Sequence, residues 1–224
     1  MCPKLAIRPK RFKEKVITLN PSDLSHLIIA EEFIIHKSYD LERVPFEPAL
    51  IIDCGAHIGL FTLLARAHFP TPRIIAFEPA PENVTFLKEH AREAGGDIEV
   101  IEAAVSDRDG VARFLRRMSF AGSLQLDESE SPGTYEVRTV DLKKVLRGKS
   151  GGNLLLKLDI EGSEEIVLPA IVDLLPPRCA IFLEVHAGEE SWQRATSLLE
   201  TRGFRTRKDR EHEDCVDGFA IRCA

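Results

Sequence analysis

The sequence predicts a doubly wound α/β domain on a mostly parallel sheet of seven strands, closed by a C-terminal antiparallel hairpin. Three observations predict it. Short, continuously apolar runs such as Ala49-Leu-Ile-Ile-Asp-Cys-Gly55 have the pattern of strands buried on both faces. Amphipathic segments of helical length alternate with these runs, the order that produces a parallel sheet. Polar and glycine-rich residues gather just after the strands, where open α/β sheets hold their ligands.

The elements follow in order. Residues 1–48 form an N-terminal arm and cover, irregular, with some helix and a short strand at Glu32–His36. Residues 49–224 form the ligand-binding domain. Its first strand, 49–55, leads into a helix over His57–His68, with Ile58, Phe61, Leu64 and Ala65 on one stripe. A second strand, Arg73–Pro79, precedes a helix that starts near Pro81 and ends at Gly95-Gly96, the usual punctuation of a helix. A third strand runs from Ile98 to Val105. Residues 111–117 and 135–141 alternate apolar and polar side chains, a β excursion around the polar loop Gly122–Gly133. The fourth strand is Leu154–Ile160, followed by a helix carrying Ile166, Val167, Ala170, Ile171 and Leu174. The fifth is Ala180–His186. A helix over Ser191–Thr201 stops at Gly203, and segments 204–208 and 218–223 close the hairpin.

Composition narrows the function classes. At 224 residues the chain holds one well-buried core. A formal net charge of -6 argues against a broad grip on nucleic acid. Lys4, Arg8, Lys10, Arg11, Lys13 and Lys15 are the one basic cluster, read as a solvated arm. No apolar run reaches the roughly 20 residues of a membrane span, and no signal peptide is recognisable. The five cysteines, Cys2, Cys54, Cys179, Cys215 and Cys223, have neither metal-ligand nor disulfide-framework spacing, which suits reduced thiols in a cytoplasmic protein.

The chemistry sits at the strand ends. After the first strand comes Asp53-Cys-Gly55-Ala-His57-Ile-Gly59. Its glycines allow a tight turn and close ligand approach, and the helix behind offers unpaired N–H groups. The spacing is G-x-x-x-G rather than the G-x-G-x-x-G of dinucleotide sites, and suits the amino-acid end of S-adenosylmethionine better than a pyrophosphate. Glu78 ends the second strand, where a carboxylate can accept both ribose hydroxyls of an adenosine. Ala103-Ala-Val-Ser106-Asp107 ends the third. Small residues there can flank an adenine ring, with Ser106 and Asp107 meeting its exocyclic amine; a simple Asp109-Gly110 turn also accounts for the stretch. The fourth strand ends in Lys157-Leu-Asp159-Ile-Glu161-Gly-Ser163-Glu164. Alternation puts Lys157, Asp159 and Glu161 on one side if the strand persists, an expensive grouping unless paired or functional. Ser163 has the chemistry of an N-cap. The fifth strand ends in Glu184-Val-His186, and His186 has the ordinary titration range of a proton acceptor.

Taken together, IIDCGAHIG at 51–59, AFEP at 76–79, AAVSD at 103–107 and LLKLDIEGSE at 155–164 resemble the FkbM family of methyltransferases. The K-x-D-x-E-G-x-E strand end is the most diagnostic of these, and EVH at 184–186 and EEF…SY at 31–39 are also similar. The resemblance covers roughly residues 31–224. It implies a class I methyltransferase (Rossmann-like) fold with S-adenosyl-L-methionine as donor and a hydroxyl oxygen as the usual acceptor. Carried over, Asp53, Gly55 and Gly59 line the methionine side, Glu78 takes the ribose, and Ser106 and Asp107 lie near the adenine. Asp159 and Glu161 border the methyl-transfer site. One departure is His57, which stands where the family loop often has Asn; its own contact to the cofactor is the open position.

Methyl transfer to an alcohol needs alignment and benefits from a base. Asp159 and His186 are the candidates, with Glu161 orienting the acceptor or Lys157. Asp159 and Glu161 could instead present two carboxylates to magnesium or calcium, too few to assign a metal. The acceptor is a small molecule or carbohydrate, and the loop Ser119–Ser123 with Phe120 is placed to cover it. A nicotinamide dehydrogenase would need the missing G-x-G-x-x-G. A nucleic-acid methyltransferase would be marked by Pro-Cys or N-P-P-[YF], also missing. A non-catalytic module would not need carboxylates at both the second and fourth strand ends.

Overall fold

The computed structural model describes residues 4–13, 15–36, 38–116, 122–125, 134–147, 151–186, 188–212 and 215–223. The arm is folded rather than irregular. β1 (Leu5–Ile7) and β2 (Ile17–Leu19) pair antiparallel. α1 (Leu24–Ile34) follows, its N-cap Asp23 accepting from the Ser25 amide at 3.0 Å. The short strand expected at Glu32–His36 is therefore the last turn of a helix and the residues after it. The run Phe33-Ile-Ile35 looks strand-like, yet Ala30 and Phe33, three apart, are the buried pair, and Ile35 is 68% exposed. The basic cluster is not simply solvated either. Arg11 donates to the carbonyls of Phe33 at 2.5 Å, Ser38 at 2.7 Å and Tyr39 at 2.8 Å, closing the C-terminal end of α1. Phe12, Ile17, Leu19 and Phe33 share a core with Ile51, Ile74, Leu155 and Phe182, so packing runs across residue 48 without a break.

Then come β3 (Leu50–Cys54), α2 (Leu60–His68), β4 (Arg73–Glu78), α3 (Pro81–Ala94) and β5 (Ile98–Glu102). α2 starts later than His57 because His57 at φ 51° and Gly59 at φ 89° hold the preceding loop out of the helix. The third strand does not run through to Val105. The Ala103 amide turns to the carbonyls of Glu78 (3.1 Å) and Ile101 (3.0 Å), and the chain leaves the sheet.

After that bend, β6 (Ala104–Ser106) joins a second, four-stranded sheet with β7 (Gly110–Arg116), β8 (Gly122–Gln125) and β9 (Thr134–Asp141). The expected polar loop 122–133 thus begins as a strand; Ser119, Phe120 and residues 126–133 lie outside the described residues. The chain continues through α4 (Leu142–Leu146), β10 (Leu154–Leu158), α5 (Glu164–Ile171), β11 (Cys179–His186), α6 (Gly188–Glu200), β12 (Arg205–Glu211) and β13 (Cys215–Arg222).

Among the described residues the main sheet has seven strands in the order β12-β13-β11-β10-β3-β4-β5. Its five inner and edge strands from β11 to β5 are parallel, and β13 runs antiparallel to both β11 and β12. Strand order reverses between β3 and β10, which makes their carboxyl ends the place for a ligand. Leu50, Ile52, Cys54, Leu154, Leu156 and Leu158 fill one face of the sheet. Ile51 and Leu155 fill the other, where Asp53 and Lys157 sit side by side in register. Each such aliphatic side chain contributes about 1.5–3 kcal/mol by burial, and this fixes the two strand ends against each other.

Candidate active site

A cleft opens over the carboxyl ends of β3, β4 and β10. Gly55, Glu78, Ala104 and Asp159 line its floor, and α1 and Tyr39 of the arm form the opposite wall. Gly55, at φ 78°, is where two strand ends touch: a Cβ there would lie 1.8 Å from the Asp159 carbonyl oxygen. Gly59 plays a packing part, since its Cβ would meet Leu87 Cδ1 of α3 at 2.5 Å. Between them, His57 lines the cleft. Burial, reinforced by the neighbouring His26, lowers its pKa to about 3, so the ring is neutral. Its Nδ1 is buried without a hydrogen-bond partner, a vacancy that a hydroxyl or ammonium of a ligand would fill.

Glu78 is 5% exposed and faces the same cleft. Its carboxylate accepts from the amides of His57 (2.9 Å) and Ala80 (3.0 Å) and from Asn83 Nδ2 (3.2 Å). Three donors leave part of a carboxylate's roughly four acceptor positions open toward the cleft. Burial nevertheless raises its pKa to about 7, with those three donors opposing the rise.

Asp53 does not line the cleft. It is fully buried behind the wall, accepting from Thr62 Oγ1 at 2.6 Å, with its other oxygen 3.9 Å from Lys157 Nζ. Lys157 donates to the Gly55 carbonyl at 2.7 Å and to Asp159 Oδ2 at 2.9 Å. Burial works against the ammonium, but Asp159 and Asp53 outweigh it and raise its pKa. The strand stops at Leu158, so Lys157 and Asp159 meet through this ion pair rather than by strand alternation. Tyr39, at φ 61°, donates its hydroxyl to the same carboxylate at 3.4 Å. Lys157→Met would leave two buried carboxylates without their cation. Loss of one partner of such a group costs about 3–5 kcal/mol, to be read as a lower denaturant midpoint at unchanged slope.

The two proposed bases differ in charge state, and only one can accept a proton. Asp159 is buried, which favours its neutral form, but Lys157 and then His186 overcome this and hold its pKa below the usual carboxylate range. It is an ionised, weakly basic group. His186 stands behind the cleft lining, with Nε2 3.1 Å from Glu161 and 3.5 Å from Glu184, and Nδ1 3.4 Å from Glu164. Burial disfavours its charge, but the carboxylates of Glu161 and Glu164 push its pKa up to about 11. An imidazolium cannot accept a proton. Its partners differ from it: burial, with Asp159 nearby, raises the pKa of both Glu161 and Glu184, and both line the cleft.

Glu164 is structural. It is 1% exposed and accepts from the amides of Ile160 (2.7 Å) and Gly162 (2.9 Å), fixing the turn in which Glu161 has φ 57°. Ser163 occupies the N-cap of α5 but its side chain makes no capping bond. Asp159, Glu161 and His186 each bring one donor atom within 4.8 Å of the others, as do Glu184, His186 and Cys215. Both sets share His186, and a cation bound there would have to displace its ring proton.

Ser106 and Asp107 do not line the cleft; Ser106 donates to Asp107 at 3.3 Å beyond it. The three small residues before them, Ala103, Ala104 and Val105, form that wall with Phe114. Sequence reasoning missed Tyr39, Glu32 and Asn83 as cleft residues. The EEF…SY similarity at 31–39 was the available signal for the first two; Asn83 had none.

Residues 53–206 match the sequence model of the Methyltransferase FkbM domain. The chain is 30% identical to Methyltransferase sdnD of Sordaria araneosa, over 89% of this chain and 90% of that protein. It is 27% identical to the 31-O-demethyl-FK506 methyltransferase FkbM of Streptomyces tacrolimicus, over 83% of this chain and 86% of that one. Among solved structures, M. jannaschii TYW2 in complex with AdoMet superposes with a TM-score of 0.55 at 11% identity, covering 98% of this chain and 84% of that one. This last likeness is one of fold: the seven-stranded sheet of class I methyltransferases.

Proposed function

The chain belongs to the FkbM methyltransferase family, and from that premise we propose that it transfers a methyl group to a hydroxyl oxygen of a small-molecule or carbohydrate acceptor. The donor that goes with this family is S-adenosylmethionine. One observation carries the reading: Glu78 and Asp159 line a single cleft on either side of the Gly55 turn, as a nucleoside subsite and a methyl-transfer subsite must. The residues fit the donor. Gly55 lets the β3 and β10 ends meet at the cleft floor, and His57 Nδ1, which lies in the same turn, lacks a partner. A relative whose name specifies a 31-O position supports oxygen as the acceptor atom.

When bound, S-adenosylmethionine supplies a sulfonium-activated methyl group for in-line displacement. The protein supplies the rest. Glu78, when ionised, accepts a ribose hydroxyl. His57 and the first-turn N–H groups of α2 hold the amino-acid end. Ala103, Ala104 and Val105 flank the adenine with Phe114. Asp159, locked by Lys157 and Tyr39, orients the groups at the reacting centre. Glu161 or Glu184, each less acidic than an ordinary carboxylic acid, takes the hydroxyl proton. Among the described residues no helix is long and apolar enough to cross a membrane.

The test supplies the protein with S-adenosylmethionine isotope-labelled in its methyl group and a set of polyhydroxylated acceptors. Products carrying the label as a methoxy carbon, read by NMR, are the expected outcome. Label on nitrogen or carbon would overturn the hydroxyl assignment.

A further inference from the structure

The far end of the cleft, around Tyr39, carries an imbalance that methyl transfer alone does not use. Glu32, Asp159, Glu161 and Glu184 all line it, against one lining cation among the described residues, Lys157. That ammonium is committed to Asp159 at 2.9 Å and the Gly55 carbonyl at 2.7 Å. His186 behind the wall is shared between Glu161 at 3.1 Å and Glu184 at 3.5 Å, and Arg210, whose charge reaches Glu32, is bonded to Asp217 at 2.8 Å. Glu32, with no ion pair of its own among the described residues, and Glu184, with half a share in one imidazolium, are left under-compensated in a partly dehydrated wall, and burial raises the pKa of both. A second feature of the same wall points the same way. The half-buried Tyr39 ring lines it, backed by the buried rings of Phe33 and Phe61, and already lies 5.7 Å from one ammonium, that of Lys157. Carboxylates beside aromatic faces form an environment for a positively charged nitrogen.

We propose that the acceptor carries a protonated amine near the hydroxyl that is methylated, as in an amino alcohol or amino sugar, and that the cleft rejects acceptors bearing carboxylate or phosphate. This rests on the methyltransferase reading above. Discrimination comes from charge: an ammonium favours the ionised forms of Glu32 and Glu184 that burial otherwise disfavours, and an anion finds no uncommitted cation among the described lining residues. Glu32 and Tyr39 belong to the arm, N-terminal to the 53–206 match.

The test uses the full chain saturated with S-adenosylhomocysteine, checked by calorimetry. Matched probes are then titrated: glucosamine, glucose and glucuronate, and an aminocyclitol with its neutral parent. The amines are expected to bind about 10-fold or more tighter than the neutral parents, with glucuronate weakest. Glu32→Gln, nearly the same shape, is expected to remove most of that advantage, about 10-fold, at full cofactor occupancy. Equal binding of amine and neutral probes, a preference for glucuronate, or no amine binding to the saturated complex would overturn the proposal. Failure of S-adenosylhomocysteine itself to bind would instead overturn the methyltransferase reading, and the proposal with it.

Discussion

Gly55→Ala is expected to abolish useful cofactor binding and to destabilise the fold together. The new Cβ would sit 1.8 Å from the Asp159 carbonyl oxygen, a backbone atom that cannot swing aside, at a φ of 78° that alanine resists. Overpacking of this kind costs about 1–3 kcal/mol and the left-handed backbone about 1–2 more. For a chain of this length that lowers the melting temperature by roughly 5–15 °C. The β3 and β10 ends must separate, and displacement of about 1 Å at a reacting centre can cost about 100-fold. Gly203→Ala is the control. Gly203 also has positive φ, 82°, but its Cβ would meet Arg222 Cδ at 3.7 Å, an ordinary contact far from the cleft. It should lose a little stability and no cofactor affinity. Equal loss of affinity in both variants would show that Gly55 acts only through stability.

Glu78 should make cofactor binding depend on pH. Its pKa is raised to about 7 by burial. The ionised form offers a ribose hydroxyl the acceptor position its three donors leave open, and protonation weakens that acceptor, so affinity rises as pH rises through 7. With about a tenth of the group ionised at pH 6 and about nine-tenths at pH 8, affinity should change about 10-fold, and binding near pH 7 should release protons. Stability of the free protein runs the other way. A carboxyl whose folded pKa is raised contributes stability that is fully present below pH 4.5 and is lost as pH rises through 7. Glu78→Ala is expected to weaken S-adenosylmethionine binding by about 10-fold or more and to flatten its pH profile. Calorimetry in buffers of different ionisation enthalpy reads both. A pH-independent affinity in the wild type would remove Glu78 from the ribose.

The sequence carried the sheet well where local pattern and burial agree. β3, β4, β10 and β11 are continuous apolar runs, and the carboxylates at their ends announce themselves because a buried strand rarely tolerates one. Glu78 and Asp159 were legible for that reason. The break at Ala103 was not, because it depends on a bond to the Glu78 carbonyl from another strand. α1 was misread because a three-residue apolar run fits strand and helix alike, and only its packing against the sheet decides. His186 was a base by its ordinary pKa and a cation in its setting, because three glutamates from two segments of chain converge on one ring. Asp53 lies behind the cleft wall, fully buried and 3.9 Å from Lys157, a placement that strand alternation alone did not reveal. Glu32 and Tyr39 reach the cleft only through the fold of the arm.

The central claim is that the cleft over β3, β4 and β10 is built for S-adenosylmethionine. Calorimetric titration of the wild-type chain with S-adenosylmethionine, and separately with NADH, tests it most directly. Binding of the first with a dissociation constant in the micromolar range, about −8 kcal/mol, and none of the second is the result that follows from the structure. A folded chain that ignores S-adenosylmethionine, or that binds NADH as well, would contradict it.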